Sequence, residues 1–75
     1  MAISSQSTDR IFDHLKLRAA RERLGWTRME AAIAMGVTYP LLTRWECGYV
    51  NPTLKSTTLM ARTLGVTVEE LLVDP

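Results

Sequence analysis

The stretch from Thr27 to Gly48, TRMEAAIAMGVTYPLLTRWECG, constrains the fold more than any other part of the chain. It reads as two short helices joined by a tight turn at Gly36. Thr27 can cap the free N–H groups of the first helix, and Glu30, three residues on, completes a capping box. Ala31, Ala32 and Met35 then share one face at helical spacing. Gly36 suits the left-handed conformation that ends a helix without a Cβ clash. Val37 is an apolar plug in the turn. Thr38 caps the second helix, and Pro40 lies in its first turn, where a missing N–H costs nothing. Leu42 and Trp45 face inward, and Gly48 closes the unit. Two helices crossing steeply through a turn of roughly three to four residues with glycine make a helix-turn-helix.

With 75 residues the chain has room for one small domain. A domain this short buries only about 60–65% of its unfolded surface, so its stability is expected to be modest. Apolar residues make up 47% of the chain, enough for a core without metal or disulfide staples. Cys47 is the only cysteine and cannot form an internal disulfide, which fits a reducing compartment. The start, MAISSQSTDR, is polar and lacks the apolar region of a signal peptide. No apolar run approaches the roughly 20 residues that span a bilayer, so a cytoplasmic location is expected. His14 is the only histidine, so no set of three or four His and Cys metal ligands exists. No phosphate-cradling glycine loop and no nucleophile motif is present. An enzyme, a cofactor and a metal are therefore not expected.

The formal net charge is +1 and says little about partners. Its distribution says more. Arg10, Lys16, Arg18, Arg21, Arg23 and Arg28 crowd the first third, while Glu69, Glu70 and Asp74 lie near the end. This asymmetry predicts a positive and a negative side. The positive side reads equally as a phosphate-facing surface or as a solvated helix face.

Residues 1–7 are expected to be a disordered tail ahead of a single domain over 8–75. Thr8 or Asp9 can cap a first helix running to about Leu24, with Leu17, Ala20 and Leu24 as its core stripe. Ile11, Phe12, Leu15 and Ala19 form a second apolar flank. Gly25 ends that helix, and Trp26 should pack under the next. After a loop from Tyr49 to Pro52, Thr53 caps a fourth helix to about Leu64. Its inward residues are expected to be Leu54, Thr57 or Thr58, Ala61 and Leu64. Thr67 and Glu70 form another capping box and predict a last short helix with Leu71 and Leu72. No strand pattern is visible, so the expectation is all-α with five helices.

Several fragments then match a known pattern in order and spacing: ArgGluArgLeuGlyTrpThrArg at 21–28, AlaAla at 31–32, MetGlyValThr at 35–38, ArgTrpGluCysGly at 44–48, AsnProThrLeu at 51–54 and LeuGlyValThrValGluGluLeuLeu at 64–72. Over roughly Leu17 to Leu72 the chain resembles the Cro/C1-type (XRE-like) helix-turn-helix domain of phage repressors and bacterial transcriptional regulators. The resemblance implies a compact, lambda-repressor-like five-helix bundle that binds double-stranded DNA at an operator. It implies that helix 38–46 enters the major groove, with Thr38, Tyr39, Pro40, Leu41, Thr43 and Arg44 at the matching positions. Arg44 is the best base reader, because its fork can pair both acceptors of guanine. Thr27 and Arg28 open the preceding helix, where N–H groups and the helix dipole favour a phosphate. Tyr49, Asn51, Thr53 and Lys55 match a second backbone-clamping segment. Arg21 and Glu46 match a structural ion pair between the first helix and the end of the recognition helix.

The chain departs from the family's usual pattern at apolar positions. Tyr39, Pro40 and Leu41 stand where relatives carry polar residues, and Met29, Ile33, Tyr49 and Val50 replace polar or basic ones. If the alignment holds, these side chains are candidates for exposure, and exposed apolar groups mark interfaces. An alternative follows, in which the recognition-helix surface at Tyr39, Pro40 and Leu41 binds a protein partner. A third possibility is a core slightly different from the family's. A homodimer on two half-sites is expected, built on Ile11, Phe12 and Leu15 or on the terminal helix with Val68 and Val73.

Overall fold

Four side-chain caps decide where helices begin. In the computed structural model, which describes residues 10–74, Asp13 accepts from the Leu15 N–H at 3.0 Å and starts α1, His14–Arg23. Thr27 accepts from the Glu30 N–H at 3.1 Å while the Glu30 carboxylate accepts from the Thr27 N–H at 2.8 Å. This reciprocal box starts α2, Arg28–Met35. Thr38 caps α3, Tyr39–Cys47, and Thr53 caps α4, Leu54–Leu64. Gly36 and Gly48 close α2 and α3 at φ +73° and +78°, a region that only glycine enters cheaply.

The ends of the chain differ from expectation. Thr8 and Asp9, the expected caps of the first helix, lie outside the described residues, as does the expected tail over 1–7. The helix starts instead at Asp13. Ile11 and Phe12, assigned to it from sequence, are an extended segment, β1 (Ile11–Phe12), which pairs antiparallel with β2 (Leu72–Val73). The register sets Ile11 opposite Val73 and Phe12 opposite Leu72. The Thr67–Glu70 box forms, with Thr67 N–H donating to the Glu70 carboxylate at 2.7 Å. It starts only a single 3-10 turn, Glu69–Leu71, before the backbone extends at Leu72. The protein therefore has four α-helices among the described residues, not five. A helix continuing past Leu71 would forfeit the ladder that Leu72 and Val73 make with Ile11 and Phe12.

The core lies between the four helices and the 3-10 turn. Leu17, Leu42, Met60 and Leu71 are its largest fully buried side chains, joined by Ala20, Ala31, Ala32, Met35, Trp45, Ala61 and Leu64. Phe12, Trp26, Val37, Leu41, Val66 and Val68 pack around it. Two expected core residues are on the surface. Leu24 is in line with the buried stripe of α1, Leu17, Ala20 and Arg21, but it is the C-cap just past the helix end at Arg23 and is exposed there. Leu54 is 76% exposed. The inner stripe of α4 is Thr57, Met60, Ala61 and Leu64, at i, i+3, i+4 and i+7; Leu54 is in line with it but is the first residue of the helix, one turn before the buried part begins. Of Thr57 and Thr58, Thr57 is the buried one, and its hydroxyl donates to the Thr53 carbonyl at 2.9 Å. No helix among the described residues is long and apolar enough to cross a membrane.

The inner side of α3 is fixed by one buried ion pair. Arg21 donates through Nε to Glu46 Oε2 at 2.6 Å and through Nη2 to Oε1 at 3.0 Å. Its Nη1 donates to the Trp26 carbonyl at 2.7 Å, which also pins the link between α1 and α2. The Glu46 side chain is fully buried. A buried bidentate pair of this kind leaves an uncompensated charge when one partner is removed.

Arg21→Ala is accordingly expected to cost about 3 kcal/mol or more in urea unfolding, a large share of a small domain's stability. A loss below about 1 kcal/mol would mean that the pair behaves as a surface one. Glu70 gives a second test. The Thr67 backbone N–H, and then the Thr67 hydroxyl, hold its carboxyl below the ordinary carboxylate range. A depressed folded value stabilises above the unfolded value and is lost as pH falls through the folded one. The melting difference between wild type and Glu70→Gln should therefore be largest at neutral pH and vanish in acid; a difference indifferent to pH would refute the assignment.

Candidate nucleic-acid interface

With Leu42, Trp45 and Glu46 buried on one side of α3, the opposite side and the first turn are left to solvent. Tyr39, Pro40 and Arg44 are exposed there. The turn is rigid for local reasons: the Thr38 hydroxyl accepts from the Leu41 N–H at 3.3 Å, and Pro40 sits within the first turn. No part of the described chain covers these three residues.

The remaining positions given to this surface are less free. Leu41 is half-buried and packs against the core, so it is not the exposed apolar group expected from sequence. The Thr43 hydroxyl is buried and has no hydrogen-bond partner, so it does not reach outward from α3. The Thr38 hydroxyl is occupied by its capping bond. Arg44 and Tyr39 are thus the polar side chains of α3 that can meet a partner directly.

Thr27 is exposed, with its hydroxyl accepting from Glu30. Arg28, the first residue of α2, donates through Nε to Glu46 Oε1 at 3.0 Å. Glu46 is thereby shared by two arginines, Arg21 from α1 and Arg28 from α2. The Glu46 carboxylate, and to a lesser degree the nearby Tyr39 hydroxyl, push the Arg28 pKa above its already high ordinary value. Arg28 is only half-buried, with 28% of its side chain open. Sequence reading missed this tie. Its only signal is an arginine at the first position of a helix whose neighbour ends in a buried acid.

After α3, Tyr49 is 77% exposed, and Asn51, Thr53 and Lys55 are exposed as well. Thr53 uses its hydroxyl on the Ser56 N–H and on Ser56 Oγ. Met29 and Ile33 are exposed on the outer side of α2, so the structure does not absorb them into an altered core. His14 also escaped notice as a packing residue. It covers the end of α3 so closely that a Cβ at Gly48 would fall 3.1 Å from its Nδ1. Cys47, next to the Gly48 cap of α3, is exposed.

The crowded basic residues of the first third do not form the open positive side expected from sequence. Arg10 lies 3.7 Å from Asp74, Arg18 pairs with Glu22 at 3.0 Å, and Lys16 donates to the Leu72 carbonyl at 2.6 Å. Arg21 and Arg28 share Glu46. Among the described residues, Lys16, Arg23, Arg44, Lys55 and Arg62 are the cations with no carboxylate within ion-pair distance, and of these Lys16 is held by the Leu72 carbonyl. Arg44 and Lys55 are the two of these placed on α3 and just after the following loop. No group of three or more His, Cys, Asp or Glu among the described residues could hold a metal ion.

The profile of a family described as helix-turn-helix matches residues 17–71. Among solved structures, the chain is similar to one titled a hypothetical transcription factor, NHTF, from Neisseria, with a TM-score of 0.76 and 29% identity. The match covers 83% of this chain and 71% of that one. No curated protein sequence matches significantly. The matched profile spans α1 to the 3-10 turn, and with it the capped helices, the Gly36 turn and the exposed start of α3, so the chain belongs to the Cro/C1-type helix-turn-helix family of DNA-binding transcriptional regulators.

Proposed function

We propose that this protein is a sequence-specific repressor that inserts α3 into the major groove of a double-stranded operator. The observation that supports this most is the division of α3 into two sides. Its inner side is locked by Leu42, Trp45 and Glu46, while Tyr39, Pro40 and Arg44 stand free at its start and outer side. A helix so held can dock without rearranging, and its N-terminal residues reach base edges. Arg44 reads guanine through both major-groove acceptors. Pro40, with the Thr38 methyl, offers apolar contact to thymine methyls. Tyr39, Thr27, Arg28, Tyr49, Asn51, Thr53 and Lys55 serve the phosphate backbone, which sets position rather than sequence. Thr43 and Leu41 support the helix more than they read it.

In this reading residues 8–75 are one non-enzymatic domain with no cofactor, acting in the cytoplasm by occupying an operator. A module of this size covers only about 600–1,000 Å² of interface. Strong specificity then calls for a homodimer on half-sites about 34–36 Å apart. Ile11 and Leu15, both exposed near the start of the described chain, are the candidate contact. Phe12 and Val68 are partly buried against the domain's own core, which leaves less of them for such a contact.

A second reading has its own observation. Met29 is 53% and Ile33 73% exposed on α2, one helical turn apart, and Tyr49 is more exposed still. Such a surface suits a protein partner.

Selection of bound sequences from random duplexes separates the readings, and an enriched palindrome carries the repressor reading. Affinity for a selected site should fall with salt at a log–log slope of about −0.9 per phosphate neutralised. Arg44→Ala should cost about 1–3 kcal/mol at the selected guanine and relax preference there. No enrichment at physiological salt, with Ile33→Ala abolishing capture of a protein partner, would transfer the function to the second reading.

A further inference from the structure

Glu46 places an acid under the surface proposed to meet a polyanion, which raises the question of what it does there. Its two arginines are used differently. Arg21 is spent inside the domain, with Nε and Nη2 on Glu46 and Nη1 on the Trp26 carbonyl. Arg28 commits Nε to Glu46 Oε1 at 3.0 Å, with the Tyr39 hydroxyl close to its guanidinium. Apart from Glu46, no carboxylate among the described residues lies within 4.0 Å of Arg28. The next carboxylate, Glu22 at 4.0 Å from Arg21, is itself paired with Arg18 at 3.0 Å, so Glu46 shared between Arg21 and Arg28 leaves a surplus positive charge, and Arg28 is the more exposed of those two arginines. A guanidinium is planar with its donors in a fixed fork, so holding Nε fixes the direction of both Nη groups.

We propose that Glu46 is a positioning residue for duplex binding: by gripping Arg28 Nε it aims the two Nη groups of that arginine at a backbone phosphate beside the start of α2. A buried acid thus strengthens binding to DNA. The inference rests on the DNA-binding reading given above and adds to it the reason that Arg28 must be an arginine. Lysine carries the same charge but has rotatable donors and no fixed fork, so a bond to Glu46 would not aim its remaining donors at a phosphate.

The test is fluorescence anisotropy of the whole chain with a labelled random-sequence duplex over a range of salt, comparing wild type, Arg28→Lys, Arg28→Ala and Glu46→Gln. Arg28→Lys should bind about tenfold more weakly than wild type, close to Arg28→Ala. Glu46→Gln should also bind more weakly, although it removes a negative charge, and its salt slope should fall by about 0.9 as one phosphate contact is lost. Circular dichroism checks that each variant is folded. Arg28→Lys leaves the Arg21–Glu46 pair intact and so tests the claim even if Glu46→Gln unfolds. In wild type the Arg28 Nε–H resonance should stay protected when duplex is added, because the grip on Glu46 persists. Equal binding by Arg28→Lys and wild type, tighter binding by Glu46→Gln, or loss of that protected resonance overturns the inference and leaves DNA binding standing. Absence of duplex binding by wild type at low salt overturns both.

Discussion

A carboxylate with no solvent exposure holds three helices in one arrangement. Glu46 on α3 receives Arg21 from α1 and Arg28 from α2, and Arg21 also reaches the Trp26 carbonyl between those two helices. Taking a carboxylate out of water costs several kcal/mol, and only good geometry with further hydrogen bonds offsets it. An apolar residue at this position could have packed as tightly. It would not fix the rotation of α3 about its own axis as the bidentate bond does. That rotation decides which residues face out, so the exposure of Tyr39 and Arg44 follows from the placement of Glu46.

The same economy of charge runs over the surface. A chain with net charge +1 cannot attract a polyanion by its overall field. Most of the basic residues in α1 are tied down within the domain: Arg18 to Glu22 within the helix, Lys16 to the carbonyl of Leu72, and Arg21 to Glu46. The cations left over are few and separate, with Arg44 on α3 and Lys55 at the start of α4. Binding then depends on where each cation is held rather than on how many there are. Lys16 shows the other use of a basic residue, stapling the β1–β2 ladder through a backbone oxygen rather than serving a partner.

What could be read from sequence was local. Thr27 with Glu30, Thr38, Thr53, Gly36 and Gly48 set the bounds of α2, α3 and α4, because a cap acts on groups within a few residues. What could not be read depended on distant chain. Two residues of strand carry no periodic signal, and Ile11–Phe12 are extended only because Leu72–Val73, about sixty positions on, lie beside them. The Thr67–Glu70 box predicted a helix correctly in its first turn and wrongly in its length, since the ladder competes for the residues that follow. Leu24 falls at the C-cap of α1 and stays exposed, while Arg21, one turn earlier, is buried where Glu46 meets it. Arg28 was assigned to phosphate on the strength of its helix position alone. Its bond to Glu46, eighteen residues away, is a property of how α2 and α3 cross.

The two ends of α3 also separate reading from assembly. His14 packs over Gly48, so the C-terminal end of α3 abuts the N-terminal end of α1. The β1–β2 ladder leads directly into α1 through Asp13, whose N–H donates to the Leu71 carbonyl at 2.9 Å. Tyr39 lies at the opposite end of α3, roughly 12 Å away at about 1.5 Å per residue. A second copy docking on Ile11 and Leu15 would therefore meet the domain near the far end of α3 and leave the reading turn open. A partner docking on Met29 and Ile33 would instead lie on α2, the helix whose first residue is Arg28, and would compete with a duplex for the approach to that arginine. Of these two exposed apolar pairs, Ile11 with Leu15 leaves the start of α3 clear and Met29 with Ile33 does not.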